Sequence, residues 1–468
     1  MGDAVLTRLR VQGFKNLLDV DVRFGPFTCI AGLNGAGKSN LFDAIRFLNL
    51  LTKHSIMQAV QLLRETKGRS PDPKSLFTEF KGYLAPELRF TAEMIVDQHV
   101  QDDFGVADDA AISTLRYEVA FRLANDDGFE RLELIHESLK PIALREAYRT
   151  IGFPMTRAFR ESTILGRRTV PFVSTPSGTE ITVHQEGHGG RKVPAPKSQL
   201  TVIGGMASSD FPSILAANRE MASWQTLLLE PSAMRSPSFY TDPRAIDSRG
   251  ANLPATIHRL QKQEQRPGKV YAELANQLSQ LIEDIEELRV QDDPKTESLT
   301  LEVRGRNGVF HPARSLSDGT LRFLVLATLS LDPQAKGMIC LEEPENGIHP
   351  ERISTIIQLL RDIAADPKLK VDLDNPLRQV VVNTHSPTVV QEIAKEYPDD
   401  LVYMDEEQVF QNGAKGRVAA AFAPAGSWRS GLGSTPLAPG RLLPYQPPPQ
   451  PGYLFNTHGY SSALRAGT

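Results

Sequence analysis

The sequence PFTCIAGLNGAGKSN, residues 26–40, contains a glycine-rich loop between an apolar segment and the start of a helical pattern. From Gly32 to Ser39 it matches the pattern G-x-x-x-x-G-K-[ST], with Gly37 and Lys38 at fixed positions. Glycines let successive backbone N–H groups turn inward around a phosphate, because no Cβ stands in the way. A helix that begins at the end of the loop adds the positive end of its dipole. The stretch therefore predicts a strand, a phosphate-binding loop and a helix, in that order.

The residues of this loop define the expected cofactors, ATP and Mg²⁺. Lys38 is expected to reach the β- and γ-phosphates and to act in catalysis, and the Ser39 hydroxyl is expected to bind Mg²⁺. The helix should run from Lys38 to about Leu51, because apolar residues recur on one of its faces. The other residues expected to bind the nucleotide here are Gly32, Asn34, Gly35, Ala36, Gly37 and Asn40.

The composition is that of an ordinary globular chain, with 468 residues, 40% of them hydrophobic and 23% charged. The net charge of -4 gives no global basic field, so any DNA contact would depend on a local patch. The two cysteines, Cys29 and Cys340, favour a reducing compartment over a disulfide scaffold. The most apolar stretch, residues 323–331, is far shorter than the ~20 residues of a membrane span, and no signal peptide is evident. We therefore expect a soluble, cytoplasmic protein with no membrane partner.

The order of the elements predicts four regions. Residues 1–52 hold the first half of a nucleotide-binding core, and residues 53–211 form an inserted lobe with antiparallel hairpins. Residues 212–423 contain a helical segment, with one helix expected over 269–288, and then an alternation of helices and strands. Such alternation is typical of a parallel sheet covered by helices. Residues 424–468 are rich in Pro and Gly and should form an irregular tail. The predicted fold class is α/β, a P-loop fold with a mixed sheet core and an inserted α+β or helical lobe.

A second apolar strand ends in acids. The sequence GMICLEEPENGIHP, residues 337–350, places Glu342 and Glu343 at that point. Ligands of open α/β sheets bind beyond the carboxyl ends of the strands, where these side chains would project. We expect Glu342 to hold Mg²⁺, directly or through water, and Glu343 to orient and polarise the attacking water. A strand end with solvated acids is the alternative interpretation.

A histidine follows a third apolar strand, in RQVVVNTHSP at residues 378–387. We expect His385 to sense or stabilise the γ-phosphate, because it follows the acidic strand and a crossover helix. A structural hydrogen-bonding role is the alternative.

A capped helix precedes the acidic strand, in ARSLSDGTLRFLVLATLSL at residues 313–331. Ser317 has the position of a helix N-cap, and Asp318 and Gly319 fall in the first turn, with Thr320 next. Taken alone, this segment is a capped, buried helix.

The order of these motifs, the loop followed by LSDGT, LEEPE and THS, resembles the ABC-type ATPases of the SMC and RecF group. It is most similar to the ATPase domains of the OLD-like (overcoming lysogenization defect) family. Their opening strand often runs into F-K-N or F-K-S, as Phe14, Lys15 and Asn16 do here. The resemblance covers roughly residues 5–52 and 212–405 and implies a fold of the ABC/SMC-head type.

The resemblance assigns a role to each motif. It makes Gly32–Ser39 the Walker A loop and Ser317–Thr320 the signature, which also binds nucleotide. Glu342 becomes the Walker B acid, Glu343 the catalytic base and His385 the switch histidine. In that family the signature of one subunit closes over the nucleotide of another. The implied active unit is a homodimer or higher homo-oligomer with composite ATP sites.

The sequence departs from the wider ABC pattern in several places. Asp318 stands where transport ATPases usually have Gly, Glu342 replaces an Asp, and His349 occupies the D-loop aspartate position. No Q-loop glutamine is evident, which argues against a transporter subunit and leaves the Mg²⁺ shell incompletely assigned.

We expect no nuclease centre within this chain. Full-length OLD nucleases carry a C-terminal TOPRIM domain with a glutamate and a D-x-D pair for metals. The segment LVYMDEEQVF supplies Asp405, Glu406 and Glu407, which we interpret as a strand end and an acidic turn. The ten histidines show no HNH-type spacing.

A group of basic residues lies in the middle region. Such a cluster can contact DNA phosphates, but a solvated charged face is the favoured interpretation because no aromatic residues are interleaved. Its members are Arg157, Arg160, Arg167, Arg168, Arg191 and Lys192.

Two functional hypotheses stay open. The first is an ATPase subunit of a prokaryotic anti-phage defence system, similar to those of Septu and PARIS, that controls a separately encoded effector such as a nuclease. The second is a RecF/SMC-like clamp in DNA repair or recombination that binds DNA directly. A binding module without hydrolysis is disfavoured because both Lys38 and Glu343 are present.

Overall fold

The computed structural model describes residues 5–63, 72–126, 128–184, 191–282 and 285–445. The strands are β1 Val5–Phe14, β2 Leu17–Arg23, β3 Phe27–Gly32, β4 Glu79–Phe80, β5 Tyr83–Leu84, β6 Leu88–Ile95, β7 His99–Gln101, β8 Ala107–Asp109, β9 Thr114–Asp126, β10 Phe129–Pro141, β11 Val173–Ser174, β12 Glu180–Val183, β13 Arg191–Pro194, β14 Gln225–Leu227, β15 Ser238–Phe239, β16 Ile285–Asp293, β17 Ser298–Gly305, β18 Phe310–Pro312, β19 Gly337–Glu342, β20 Arg378–Thr384, β21 Leu401–Gln411, β22 Ala414–Ala423 and β23 Thr435–Pro436. The helices are α1 Lys38–Leu51, α2 Ile56–Leu63, α3 Leu144–Thr150, α4 Arg157–Thr163, α5 Val202–Gly205, α6 Pro212–Ala222, α7 Pro231–Met234, α8 Leu253–Gln263, α9 Lys269–Ser279, α10 Asp318–Leu331, α11 Ile353–Ile363 and α12 Pro387–Glu396.

A seven-stranded mixed sheet carries the glycine-rich loop. Its strand order is β14-β19-β20-β3-β21-β22-β23, and the pairs from β14 to β21 are parallel. In the register of this sheet Glu342 lies opposite Asn383, and Asn383 lies opposite Ile30. The carboxyl ends of β3, β19 and β20 therefore meet at one edge, which brings the loop, the acids and the histidine together, since parallel strands end on the same side.

An eight-stranded antiparallel sheet covers the other side of α1. Its order is β13-β12-β11-β10-β9-β6-β1-β2, so β1 and β2 belong to it together with strands of the middle region. The predicted hairpin is confirmed as the β9–β10 pair. The middle region is thus joined to the first strands in one sheet and one core instead of forming a separate lobe, because β1 pairs with β6 along most of its length.

Helix α1 lies in the core between the two sheets. Leu41, Ile45 and Leu48 are buried, as its apolar period predicts. Phe47 of this helix packs on Phe90 of the antiparallel sheet with ring centroids 5.6 Å apart. The same apolar cluster contains residues of the mixed sheet, so the helix that follows the loop is held from both sides.

The helix expected over 269–288 is wrong beyond Ser279. Residues Ile285–Asp293 form strand β16, which pairs with β17 so that Leu288 lies opposite Val303. Residues 283–284 lie outside the described residues. The apolar pattern around Leu288 is compatible with a strand as well as with a helix. Pairing with β17 stabilises the strand.

The first part of the expected irregular tail is packed. The Arg429 side chain is buried, and its guanidinium donates to the carbonyl oxygen of Arg23 at 2.8 Å and to Thr28 Oγ1 at 3.1 Å. Its burial lowers the pKa of this guanidinium. Residues 446–468, the rest of the tail, lie outside the described residues. No helix in the described parts of the chain is long and apolar enough to cross a membrane.

Glu220 on α6 makes the stability of the fold depend on pH. Its carboxyl group is buried and accepts a hydrogen bond from Trp224 Nε1 at 2.7 Å, and burial raises the pKa of Glu220 to about 8. A pKa raised on folding stabilises the fold below the ordinary pKa, and this contribution is lost as the pH rises through the folded value. We expect Glu220→Gln, which is neutral at every pH, to be more stable than the wild type at about pH 8.5 by on the order of 3 kcal/mol, and to differ little near pH 5.

Urea unfolding at both pH values tests this expectation. Glu273→Gln, on an exposed position of α9, is the matched control and should keep the wild-type pH dependence. An equal fall in stability between the two pH values for Glu220→Gln and the wild type would contradict the assignment.

Candidate functional site

The glycines of the loop are required by close contacts and by backbone conformation. A Cβ on Gly32 would lie 2.4 Å from the carbonyl oxygen of Met404 on β21. Gly35 and Gly37 have φ values of +88° and +97°, in the left-handed region that favours glycine. Helix α1 begins at Lys38, directly after Gly37. The backbone therefore has the strand, loop and helix that the pattern predicts.

The Lys38 ammonium lies inside the loop. It donates hydrogen bonds to the carbonyl oxygens of Gly32 at 2.7 Å and Leu33 at 2.9 Å. Burial lowers the pKa of Lys38, and the nearby charges of Glu343, Glu342 and Glu345 oppose that shift. Lys38 is thus the cation next to a group of three acids.

Asn16 supports the loop from the turn between β1 and β2. Its Nδ2 donates to the carbonyl oxygen of Gly35 at 3.2 Å, and its Oδ1 accepts from Asn40 Nδ2 at 2.8 Å. A Cβ on Gly37 would lie 3.0 Å from Asn16 Oδ1 and 2.6 Å from the Cβ of Ala419. The F-K-N segment was recognised in the sequence without a role at the site. Asn40 therefore contacts Asn16, which supports the loop, and its side-chain amide does not point into the loop interior.

Glu342 lies at the end of β19. Burial raises the pKa of Glu342, as do the charges of Asp43 and Glu343, while a hydrogen bond with Asn383 and the charge of Lys38 act in the other direction. Asp43, on α1, pairs with the Lys15 ammonium. Asp43 was not predicted, although its spacing of one helical turn from Ser39 places both on one face of α1.

The Glu343 carboxylate is held from two sides. Its Oε1 lies 2.6 Å from His385 Nδ1, and its Oε2 accepts a hydrogen bond from Asn346 Nδ2 at 2.8 Å. The residue has a φ of +46°, and its backbone N–H donates to the carbonyl oxygen of Asn383 at 3.0 Å. The structure thus brings together Glu343 and His385, two of the residues predicted for catalysis. Asn346 was missed by sequence reasoning because its role depends on the fold of the loop.

Glu345 is a third acid of this loop and was also not predicted. It is 8% exposed and accepts a hydrogen bond from Thr384 Oγ1, which itself accepts from the Ser386 backbone N–H at 2.9 Å. Burial raises the pKa of Glu345. Its Oε2 is a buried acceptor with no hydrogen-bond partner among the described residues. Glu345 therefore ties the acidic loop to the strand that carries His385.

The segment Ser317–Thr320 lies at the start of α10. Ser317 is its N-cap, as predicted, and its Oγ accepts from the Thr320 backbone N–H at 3.2 Å. A Cβ on Gly319 would lie 2.1 Å from the carbonyl oxygen of Gly347, so the helix start packs directly on the acidic loop. Within the described ranges no hydrogen bond or ion pair joins Ser317–Thr320 to Gly32–Ser39 of the same chain.

The acids of LVYMDEEQVF lie inside a strand, so the expected strand end and acidic turn is wrong. Strand β21 continues to Gln411 because it pairs with β22 along its length. Arg441 forms ion pairs with Asp405 at 2.5 Å and with Glu407 at 2.8 Å. Over the part of the chain that the structure describes, no group of three or more His, Cys, Asp or Glu side chains could hold a metal ion.

The basic cluster of the middle region has local partners. Arg157 pairs with Glu161 at 2.6 Å, and Lys192 pairs with Glu180 at 2.7 Å. The Arg168 guanidinium lies over the ring of Phe172, 4.5 Å from its centroid. These three members thus have partners within the middle region, and a solvated charged face stays the favoured prediction.

The donor set at the edge of the sheet fits a nucleotide with Mg²⁺. The Ser39 hydroxyl and the Glu342 carboxylate are oxygen ligands of the kind Mg²⁺ prefers, and the loop and the start of α1 fit phosphates. The fold and these residues define a P-loop nucleotide-binding domain. The chain belongs to the family described as "AAA domain, putative AbiEii toxin, Type IV TA system", which matches residues 27–391.

Short stretches of the chain are similar to the DNA replication and repair protein RecF. The identity is 39% over 51 residues for Porphyromonas gingivalis, 43% over 51 residues for Parabacteroides distasonis and 38% over 60 residues for Paenarthrobacter aurescens. These matches cover 11–13% of this chain and 14–15% of the relatives, so the chain spans about a seventh of the curated relatives it matches.

Among solved structures, SMC head domains are similar to this chain. A head bound to the C-winged helix domain of ScpA has a TM-score of 0.44 at 12% identity, covering 88% of this chain and 97% of that chain. The head with an extended coiled coil from Pyrococcus furiosus, bound to the C-terminal domain of ScpA, has a TM-score of 0.43 at 11% identity over 89% and 96% of the two chains. The head domain from Thermotoga maritima has a TM-score of 0.38 at 14% identity over 90% and 98%.

Proposed function

We propose that this chain binds ATP with Mg²⁺ and hydrolyses the β–γ phosphate bond. The observation that carries the proposal is the Glu343 carboxylate, held 2.6 Å from His385 Nδ1 and 2.8 Å from Asn346 Nδ2 near the Lys38 ammonium. A general base must be oriented to accept the proton of a water molecule, and these two contacts fix its orientation. Lys38 would stabilise negative charge on the phosphates. His385 would contact the γ-phosphate and so sense whether it is present.

Ser39 and Glu342 are the residues that would hold Mg²⁺. This ion supplies charge neutralisation on the phosphate oxygens when it is bound. In this proposal the backbone N–H groups of Gly35, Gly37 and Lys38 bind and orient the β-phosphate, since successive N–H groups of a glycine-rich loop can form an anion-binding nest.

We further propose that the site is completed by a second copy of the chain. Ser317 and Asp318 are exposed at the start of the 14-residue helix α10, and Asn34, Gly35 and Ser39 are exposed at the loop. Both halves are therefore accessible to another molecule. The start of α10 offers N–H groups of the kind that bind phosphate, and would meet the γ-phosphate of the partner.

For the biological role we propose a cytoplasmic, nucleotide-gated subunit of a prokaryotic anti-phage defence system. In this role the ATP-bound dimer controls a separately encoded effector, a nuclease. The motif order similar to the OLD-like family supports it. The family description, which names the AbiEii toxin and a Type IV TA system, agrees with such a setting.

The second candidate is a RecF/SMC-like ATPase that binds DNA directly in repair or recombination. The local identities of 38–43% with RecF proteins favour it. The two candidates differ in whether the ATP-bound chain binds duplex DNA on its own.

Assays on the purified chain test the proposal. We expect ATP hydrolysis, no plasmid cleavage with Mg²⁺ or Mn²⁺, and a nuclease that co-purifies when the chain is expressed from its native operon. Cleavage that survives further purification and disappears in a point variant of this chain would contradict the separate effector. ATP-dependent binding to duplex DNA that weakens steeply with salt would favour the second candidate.

A further inference from the structure

The signature carries a carboxylate where the proposed site needs room for an anion. Asp318 is the first residue of α10, and its side chain is 51% exposed. A helix N-terminus stabilises one negative charge, and Asp318 supplies one from within the chain. A triphosphate that approaches the same N–H groups meets this charge, and the two anions repel each other.

Arg235 is placed to remove that conflict. Its guanidinium forms an ion pair with the Asp318 carboxylate, and its Nη2 also donates to the carbonyl oxygen of Leu316 at 3.0 Å. The pair joins the end of α7 to the residue that follows the N-cap Ser317. The Arg235 side chain is 29% exposed, so a second copy that meets the start of α10 can reach it.

The backbone that carries Arg235 is fixed. The preceding residue, Met234, is 1% exposed and belongs to the same apolar cluster as the core residues of α10. A Cβ on Gly250 would lie 2.7 Å from Met234 Cγ, which shows how closely this segment is packed. The core therefore holds the Arg235 backbone beside the signature, and the contacts to Asp318 and to the Leu316 carbonyl oxygen hold the guanidinium.

We propose that Arg235 is a positioning residue of the composite ATP site. It holds the Asp318 carboxylate to one side and neutralises it, so that Ser317 and the first N–H groups of α10 can meet the γ-phosphate of ATP bound to a second copy. The inference rests on the proposed function and adds the residue that makes an acidic signature compatible with a triphosphate. In this arrangement Asp318 opposes closure of the dimer once Arg235 is removed, and Arg235 is needed only while Asp318 is present.

The experiment measures ATP-driven dimer formation by sedimentation in the Glu343→Gln background, which is expected to retain ATP. Arg235→Ala, Asp318→Asn and the double variant are compared, with binding of labelled ATP to the monomer measured alongside. Arg249→Ala is the matched control, since Arg249 pairs with Asp247 at an exposed position. Each variant is also unfolded by heat, to detect loss of structure.

We expect Arg235→Ala to weaken dimer formation at least tenfold, with ATP binding to the monomer and the unfolding midpoint unchanged. The double variant should match Asp318→Asn to within about threefold, because Arg235 is needed only while Asp318 is present. Added salt should partly restore Arg235→Ala, because salt screens the repulsion between exposed charges. If Arg235 had only a structural role, removing Asp318 would not restore dimer formation in the double variant, and added salt would not restore it in Arg235→Ala.

Other results overturn the inference. A double variant as weak as Arg235→Ala would mean that Arg235 acts independently of Asp318, and an Arg235→Ala variant equal to Arg249→Ala would mean that it has no role in closure. If the Glu343→Gln background does not dimerise with ATP at all, the composite site of the proposed function fails first, and this inference fails with it.

Discussion

Glu343→Gln is expected to lower ATP turnover by at least about a hundredfold while ATP still binds, since a positioned general base typically contributes 10²–10⁴-fold. The amide has nearly the shape of the carboxylate but cannot accept the proton of the attacking water. Its contacts to Asn346 and His385 can be kept in part, so the acidic loop should retain its fold. The ATP-bound dimer should therefore accumulate.

Single-turnover hydrolysis and sizing with and without ATP and Mg²⁺ measure the two effects. Glu351→Gln is the matched control, because Glu351 lies close by in the sequence and its side chain is 85% exposed. It should hydrolyse ATP like the wild type. Wild-type turnover in Glu343→Gln would place the base elsewhere, and Glu342 would be the first residue to test.

Lys38→Ala and Ser317→Arg should each abolish hydrolysis for different reasons. Lys38→Ala removes the ammonium from the loop and should weaken ATP binding at least tenfold, which corresponds to about 1.4 kcal/mol. Ser317→Arg leaves the loop intact and should bind ATP normally, but its bulky cation blocks closure at the start of α10. Titration with labelled ATP separates the two defects, and unchanged affinity in Lys38→Ala would contradict the assignment of the loop.

A mixture of these two variants tests the composite site. A mixed dimer contains one site built from the intact loop of one copy and the intact signature of the other, so the mixture should regain activity that neither variant has. Mixing Lys38→Ala with Glu343→Gln is the control, because both changes affect the half of the site that holds the nucleotide and no complete site results. A mixture without activity, together with no mixed-dimer crosslink between the Ser317 and Lys38 faces, would exclude the composite arrangement.

Local sequence was sufficient for the parts of the site that lie on single elements. The loop Gly32–Ser39 and helix α1 have the bounds that the pattern predicts, because glycine conformations and helical periodicity act over a few residues. The Ser317 N-cap and the acids at the end of β19 were predictable for the same reason. Their meeting at one edge was also predictable, since parallel strands share their carboxyl ends.

The supporting residues of the site could not be predicted in this way. Asn16, Asp43 and Glu345 act through partners from other elements, and Arg235 meets Asp318 across 83 positions of the sequence. The switch from helix to strand at Ile285 has the same origin, because the apolar spacing permits both states.

The sequence alone therefore determined the glycine-rich loop, the acidic and histidine strand ends and the N-capped helix α10, whose causes are local hydrogen bonding and backbone conformation. The tertiary structure added the orientation of Glu343 by His385 and Asn346, the support of the loop by Asn16 and the pairing of Asp318 with Arg235. These depend on which surfaces pack together, and packing is decided by burial of the whole chain and not by any one segment.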